Sequence, residues 1–464
     1  SNSPSLYKDF LAPERQIQNK AFYKNALAVL CQSKKHAGVV QRNLLINNIV
    51  NLGGNIWNEE QLATLENNLH AEKAIKYGIL QSNNRNKGMP AAIAYCQRNG
   101  IDFKLIEPKP FPEFIRDISQ VETLVFFPQW LETYSRFAIE SRILGCKLIT
   151  NSLIGATSED YFKLKGKELL DFIRQNNQNL RQRWIKLIDK SEIKYFPPLD
   201  LPKITVFCPL YAGQQYIEGF LKSMQEQTIF DQCELIIIDA NSPENESQYI
   251  EEFMKEHENV IYKRLDYRAS VMETENMAIH MATGEFFAQA CVDDRHHREY
   301  LEIMSKHLHY HEDIDLVYTD CLQTKKPNET VETNSSAGDY YEHSRNEFSP
   351  ENMIKCLPGP MPMWKLSVHE KCGYFDEGLS YAGDWDIFLR MVAAGSKFKK
   401  IDIPLGLYYF NSEGLSTSTE NQIPRGKEEA EVFFKHKNVF GEANYNKYKN
   451  YFSQFIRNEN ESTT

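Results

Sequence analysis

Alternation of apolar and polar positions divides the chain into two stretches with the same rhythm. In the first, short apolar runs stand at 74–80, 103–106, 123–127 and 147–150, and a helical pattern fills 137–144. Short buried runs separated by helical spacing predict a parallel sheet with covering helices. Residues 166–189 read as one long amphipathic helix, since Leu169, Leu170, Ile173, Leu180, Trp184, Leu187 and Ile188 recur at helical spacing. Pro197, Pro198 and Pro202 cannot continue that helix. A first domain is therefore placed at 1–195 and a proline-rich linker at 196–202.

The second stretch opens on a β-branched strand at 204–208, followed by a helix over 215–227. A fully apolar strand at 235–238 ends at Asp239, and a short strand near 260–264 precedes a helix over 272–281. A further strand at 286–292 ends on Asp293 and Asp294. Strands that repeatedly end in polar residues suit a doubly wound sheet, where ligands sit beyond the carboxyl ends. Residues 322–350 are poor in large aliphatics and predict a long mobile loop acting as a lid. The second domain is placed at 203–420. An aromatic-rich helical tail follows at 421–464, fraying from Asn458 onward.

Composition narrows the partners. Apolar residues at 42% and charged residues at 25% exclude global disorder. Lysine and arginine total 53 against 63 acids, so the net charge of −10 argues against a nucleic-acid partner. The nine cysteines are odd in number and spread singly without a Cys-x-x-Cys, which disfavours a disulfide scaffold or zinc ribbon and fits a reducing compartment. Residues 1–10 show no basic-then-apolar leader, and no window approaches 18 uninterrupted apolar residues. The expectation is a cytoplasmic protein, with peripheral association at the inner face of the membrane. Ser1-Asn2 reads as a cloning remnant, and a fragment of a longer bifunctional protein is also compatible with the pattern.

Chemistry-bearing residues follow in a fixed order: Pro209 and Tyr211 after the first strand, Asp239 after the second, Glu275-Asn276, then Asp293-Asp294-Arg295, then Gly383-Asp384-Trp385-Asp386. This order over 203–415 resembles glycosyltransferase family 2, nucleotide-sugar-dependent enzymes of the GT-A fold. The resemblance implies an α/β domain with a Rossmann-like mixed sheet. It also implies a nucleoside-diphosphate sugar as donor, UDP-linked by family frequency, and a glycan or lipid-linked glycan as acceptor. The Gly359–Trp364 and His369–Asp376 segments look like a subgroup from bacterial surface-polysaccharide (capsule) clusters. No Gln-x-x-Arg-Trp appears, which disfavours a processive membrane synthase.

A diphosphate leaving group develops negative charge that Mn²⁺ or Mg²⁺ can neutralise, and such hard cations take oxygen ligands. By resemblance Asp294 is the metal ligand, and Asp293 faces the ribose or a metal-bound water. Val292 stands where the family's Asp-x-Asp begins, and Asn411 where a histidine would complete the metal shell. Asp239 matches a residue contacting base or ribose, with Tyr211 as a stacking surface beside Pro209. Asn241 or Ser242 capping a helix is the plainer reading of that turn. Asn276 matches a donor-site asparagine, and Arg268 either touches base or phosphate or is solvated. Asp384 matches the general base of an inverting transfer, with Asp386 as its local rival. Trp385 and Trp364 either form an acceptor platform or pack in the core. His307, His309 and His311 are read as structural, because no further ligand completes a zinc site at convincing spacing.

In the first domain, Glu132 and Glu140 are two helical turns apart, a spacing that also suits one exposed face, and Lys87 precedes Gly88. This looks like the donor-binding half of a family 4, GT-B glycosyltransferase, which makes Lys87, Glu132 and Glu140 a candidate second donor site. The preferred reading is a Rossmann-like half-domain used for stability, assembly or acceptor handling. The rival to an active enzyme is an inactive scaffold or binding protein in a polysaccharide-assembly complex.

Overall fold

The computed structural model describes residues 10–188, 193–336 and 338–457. The fraying expected from Asn458 onward lies outside them. The chain separates into two units between Leu199 and Asp200.

The first unit begins with β1 (Val29–Cys31) and β2 (Ile49–Asn51), a parallel pair around the helix Lys34–Leu44. Three-residue strands leave too little periodicity to be read from sequence. A second sheet follows, formed by β3 (Ile75–Leu80), β4 (Lys104–Ile106), β5 (Val121–Phe126) and β6 (Lys147–Thr150). Its order is β4-β3-β5-β6, parallel throughout. The helix Gly166–Ile188 closes the unit and buries Leu169, Leu170, Ile173 and Leu180. Trp184, Ile185 and Ile188 continue its apolar stripe but are exposed.

The second unit holds one mixed sheet of eight strands. Its parallel half is β7 (Ile204–Leu210), β8 (Cys233–Asp239), β9 (Val260–Arg264) and β10 (Phe286–Gln289). Every residue of β8 is buried, which explains the unbroken apolar run: a central parallel strand is covered on both faces. The other half comprises β11 (Arg295–His296), β12 (Leu316–Thr324), β13 (Met363–Lys365) and β14 (Phe398–Tyr409). The full order is β11-β14-β12-β13-β10-β7-β8-β9, with β13 antiparallel to both β10 and β12. The fold is α/β with a large mixed sheet, as the motif order implies.

Two expectations need correction. The lid at 322–350 is largely strapped down: β12 runs to Thr324, Tyr341 N donates to Cys321 O at 2.8 Å, and Gln323 N donates to Asp339 O at 2.9 Å. Residues 421–457 are not an appended tail. Helices Gln422–Lys435 and Gly441–Arg457 and the segment between them bring Ala430, Val432, Phe433, Phe440 and Phe452 into the same core as Trp385 and Phe388. Apolar burial on that scale is a main source of stability. The two helices meet at Gly426, where a Cβ would lie 2.3 Å from the Phe455 ring. Gly426→Val is expected to force them apart at a cost of about 1–3 kcal/mol, read as a lower Tm in thermal unfolding.

Candidate active site

The loops at the carboxyl ends of β7, β8 and β10 are held by buried polar contacts. Asp239, fully buried at the end of β8, accepts from Ser242 N at 2.6 Å, Tyr262 Oη at 2.7 Å and Arg264 Nη1 at 2.7 Å. Ser242 Oγ accepts from Ala212 N at 3.0 Å and donates to Glu246 Oε1 at 2.8 Å, while Glu246 also accepts from Gly213 N at 2.7 Å. Asp239 and Ser242 therefore tie the β8 end to the loop after β7. The capping reading of Asn241 or Ser242 is set aside, because residue Glu246 stands at the N-cap of helix Ser247–Met254. Glu246 was missed in the sequence, since nothing marks its buried role locally.

Tyr211 and Arg268 come together: the guanidinium carbon lies 3.3 Å from the tyrosine ring centroid. Both come from loops at the same edge of the sheet, and the pair leaves part of Tyr211 exposed. Asn276 has another task. It accepts from Phe375 N at 2.9 Å and donates to Phe375 O at 3.0 Å and Glu377 Oε1 at 2.9 Å. It thereby pins segment 375–377 to the helix Val271–Met281 and does not line the cleft.

That cleft has a volume of about 920 Å³, and among its lining residues are Pro209, Asp293, Asp294, Asp384, Trp385 and Asn411. Asp293 and Asp294 enter from the turn after β10. Asp294 Oδ1 accepts from Tyr409 N at 2.9 Å, which couples the turn to the end of β14. Burial pushes both carboxyls above their ordinary range, and the Asp293 charge raises Asp294 further. Arg295 lies beneath, donating to Val292 O at 2.9 Å, Tyr216 O at 3.1 Å and the carbonyl of Asp294 at 2.6 Å. Its hydrogen bonds go to backbone oxygens and to Asn328 Oδ1 rather than to the two carboxylates.

Asp384 reaches the cleft from the first turn of helix Gly383–Ala393. Gly383 allows this approach, for a Cβ there would lie 2.1 Å from Met272 Sδ. Burial pushes the Asp384 carboxyl up to about 6. The preceding backbone is clamped by Glu428, whose carboxylate accepts from Tyr381 N at 2.7 Å, Ser380 N at 3.0 Å and Ala382 N at 3.1 Å. Glu428 belongs to the helix Gln422–Lys435, remote in sequence, and carries no local signal of this role. Behind Asp384 lies Glu275, fully buried, whose carboxyl oxygens accept no hydrogen bond among the described residues. Burial and then the Asp384 charge hold Glu275 well above the carboxylate range.

Asp386 points the other way. It is fully buried and meets Arg390 Nε, Lys435 Nζ and His436 Nε2, each at 2.8 Å. Burial opposes its charge, yet these three partners hold its carboxyl below the ordinary range. As residues two apart on a helix, Asp384 and Asp386 face different surroundings.

The tryptophans also divide. Trp364 lies wholly in the core, where its indole N–H donates to His369 Nε2 at 3.1 Å, so it offers no platform. Trp385 lines the cleft, donates to Met353 O at 2.7 Å and packs on Phe440 and Phe452. His307 is buried and stacks on His311 at 5.4 Å. In the first unit Lys87 Nζ meets Glu132 Oε1 at 2.8 Å. Glu140 is instead buried, accepting from Trp57 Nε1 at 3.0 Å and Arg136 Nε at 3.3 Å. The reading of Glu132 and Glu140 on one exposed face is corrected by that burial.

Residues 205–367 match the family described as Glycosyl transferase family 2. An uncharacterised glycosyltransferase of Methanocaldococcus jannaschii is 22% identical over 205 residues, 44% of this chain and 69% of that protein. Among solved structures, S. aureus TarS 1-349 in complex with UDP is similar at 17% identity, covering 52% of this chain and 70% of that one with a TM-score of 0.41. Mannosyltransferase PcManGT from Pyrobaculum calidifontis, in complex with GDP-Man and Mn²⁺, is 19% identical and covers 56% and 71%, with a TM-score of 0.40. Asp384 lies beyond the matched segment, and the fold returns it to the cleft that Asp293 and Asp294 share. Residues 205–367 of the second unit are thus similar to glycosyl transferase family 2, and this similarity supports a glycosyltransferase.

Proposed function

We propose that the second unit transfers a sugar, with inversion, from a nucleoside-diphosphate donor to a hydroxyl of a glycan or lipid-linked glycan, in bacterial surface-polysaccharide synthesis. The observation that carries this reading is the meeting of Asp293, Asp294 and Asp384 in one cleft. Asp293 and Asp294 fit a divalent cation by donor chemistry: two adjacent carboxylates, both raised by burial and Asp294 further by the Asp293 charge, are stabilised by a hard cation. Such an ion, Mn²⁺ or Mg²⁺, would neutralise charge developing on the departing diphosphate.

The residues of the chain then divide the work. Pro209 lines the cleft, and the Tyr211–Arg268 pair on loops at the same edge of the sheet is assigned the nucleotide, the uncovered tyrosine face for a base and the guanidinium for phosphate. UDP is the proposed leaving group. Asp239 supports this side indirectly, holding the loops through Ser242, Tyr262 and Arg264. Asp384 accepts the proton of the attacking hydroxyl. A carboxylate raised to about 6 is a stronger base than an exposed one and stays ionised at neutral pH. The first unit is proposed to serve stability, assembly or acceptor handling, with Lys87 and Glu132 already neutralising each other.

The test is a thermal-shift series with UDP, GDP and ADP, each with and without Mn²⁺. A ligand that binds the native state raises the melting point, and at one hundred times its Kd the gain is about 2.7 kcal/mol. At least one nucleotide is expected to stabilise the chain more with Mn²⁺ than without. In Asp294→Asn the metal-dependent part of that shift should disappear. Shifts that are absent for all three nucleotides would overturn the reading.

A further inference from the structure

The cleft does not end at Trp385. Helix Gly441–Arg457 also lines it, contributing Tyr448, Tyr451 and Phe452. Tyr448 and Tyr451 are three residues apart, so they share one face of the helix. Phe452 is buried behind them, 6.0 Å from the Trp385 ring and 4.3 Å from Phe433. The residue beside Asp384 thus packs directly on the helix that presents the tyrosines. Tyr451 keeps half of its surface exposed (52%), which leaves a ring face free for a ligand.

The basic side chains that line the cleft beside this helix are paired, and Lys447 Nζ lies over the Tyr448 ring at 4.9 Å. Arg425 faces Glu429 at 3.6 Å, and Lys355 faces Glu342 at 3.4 Å. Tyr451 has the more exposed ring of the two, and aromatic faces with hydroxyl tips suit a neutral pyranose. The position also suits the chemistry. The tyrosines line the same cleft as Asp293, Asp294 and Asp384.

We propose that Tyr448 and Tyr451 form the acceptor subsite and stack on a neutral pyranose of the incoming glycan. This rests on the transferase reading above and goes beyond it by assigning acceptor recognition to the C-terminal helix. Both substitutions lie on the helix surface that lines the cleft, while Phe452, which anchors the helix, is left in place.

The experiment is saturation-transfer NMR on the full chain with UDP and Mn²⁺ present. The probes are the methyl pyranosides of glucose, galactose, mannose and N-acetylglucosamine at millimolar concentration. At least one probe is expected to receive saturation from the protein, and Tyr448→Ala/Tyr451→Ala should weaken its binding about tenfold. The nucleotide-induced thermal shift should be the same in the variant, which shows that it is folded. If no probe binds, or if binding survives the double substitution, the inference fails. Loss of the nucleotide shift in the unmodified chain would instead overturn the transferase reading, so the two failures are distinguishable.

Discussion

Asp384→Asn should lower sugar transfer by about 10²–10⁴-fold, the usual contribution of a positioned general base, and leave nucleotide affinity unchanged. The same substitution should stabilise the fold at neutral and alkaline pH. In the folded chain the Asp384 carboxyl is raised to about 6 because burial disfavours its charged form. The folded state therefore holds this proton more tightly than the unfolded chain does, and stability falls as pH rises toward 6. Below pH 4 both states are protonated and the variant should match the parent. Above pH 6 the full difference appears, up to about 3 kcal/mol, and Tm should rise by several degrees. Parallel melting curves at pH 4 and pH 8 with initial rates at pH 8 check both halves. An inactive variant that melts lower at pH 8 would contradict the assignment of the buried charge to Asp384. For the parent enzyme, kcat/KM should decline as pH falls through about 6, where the base becomes protonated.

Asp386 should behave in the opposite way. Its carboxylate joins Arg390, Lys435 and His436, so it fastens helix Gly383–Ala393 to the C-terminal helices. Removing one partner of a buried ion pair leaves uncompensated charge and costs about 3–5 kcal/mol. Asp386→Ala is therefore expected to lower Tm markedly at pH 7. Because the Asp386 carboxyl is held below its ordinary range, its stabilisation is present above the ordinary carboxylate pKa. It is lost as pH falls through the lowered value, so parent and variant should converge only in strong acid. Urea unfolding at pH 7 and pH 3 measures this. If Asp386→Ala were fully stable but inactive, the roles of the two aspartates would have to be exchanged.

These two residues show where sequence reading stops. The motif Gly383-Asp384-Trp385-Asp386 marks both acids as candidates, since residue type and spacing alone make either a base. Only packing separates them: Lys435 and His436, about fifty positions on, neutralise one carboxylate and leave the other facing the cleft. Asn276 and Trp364 were legible as polar and aromatic candidates, but their partners, Phe375 and His369, meet them through the fold. The C-terminal wall was legible as aromatic helix and no more. Its helical pattern carries no mark of what it packs against.

The sequence by itself determined the alternation of strand and helix, the unbroken burial of β8 and the order of carboxylates at strand ends. Those features follow from local periodicity and residue chemistry, which act over a few positions. The tertiary structure decided which carboxylate is free, which is paired, and that residues 421–457 belong to the cleft and core. Those outcomes depend on desolvation and on partners distant in the chain, because a buried charge is stabilised or suppressed by whatever the fold places beside it.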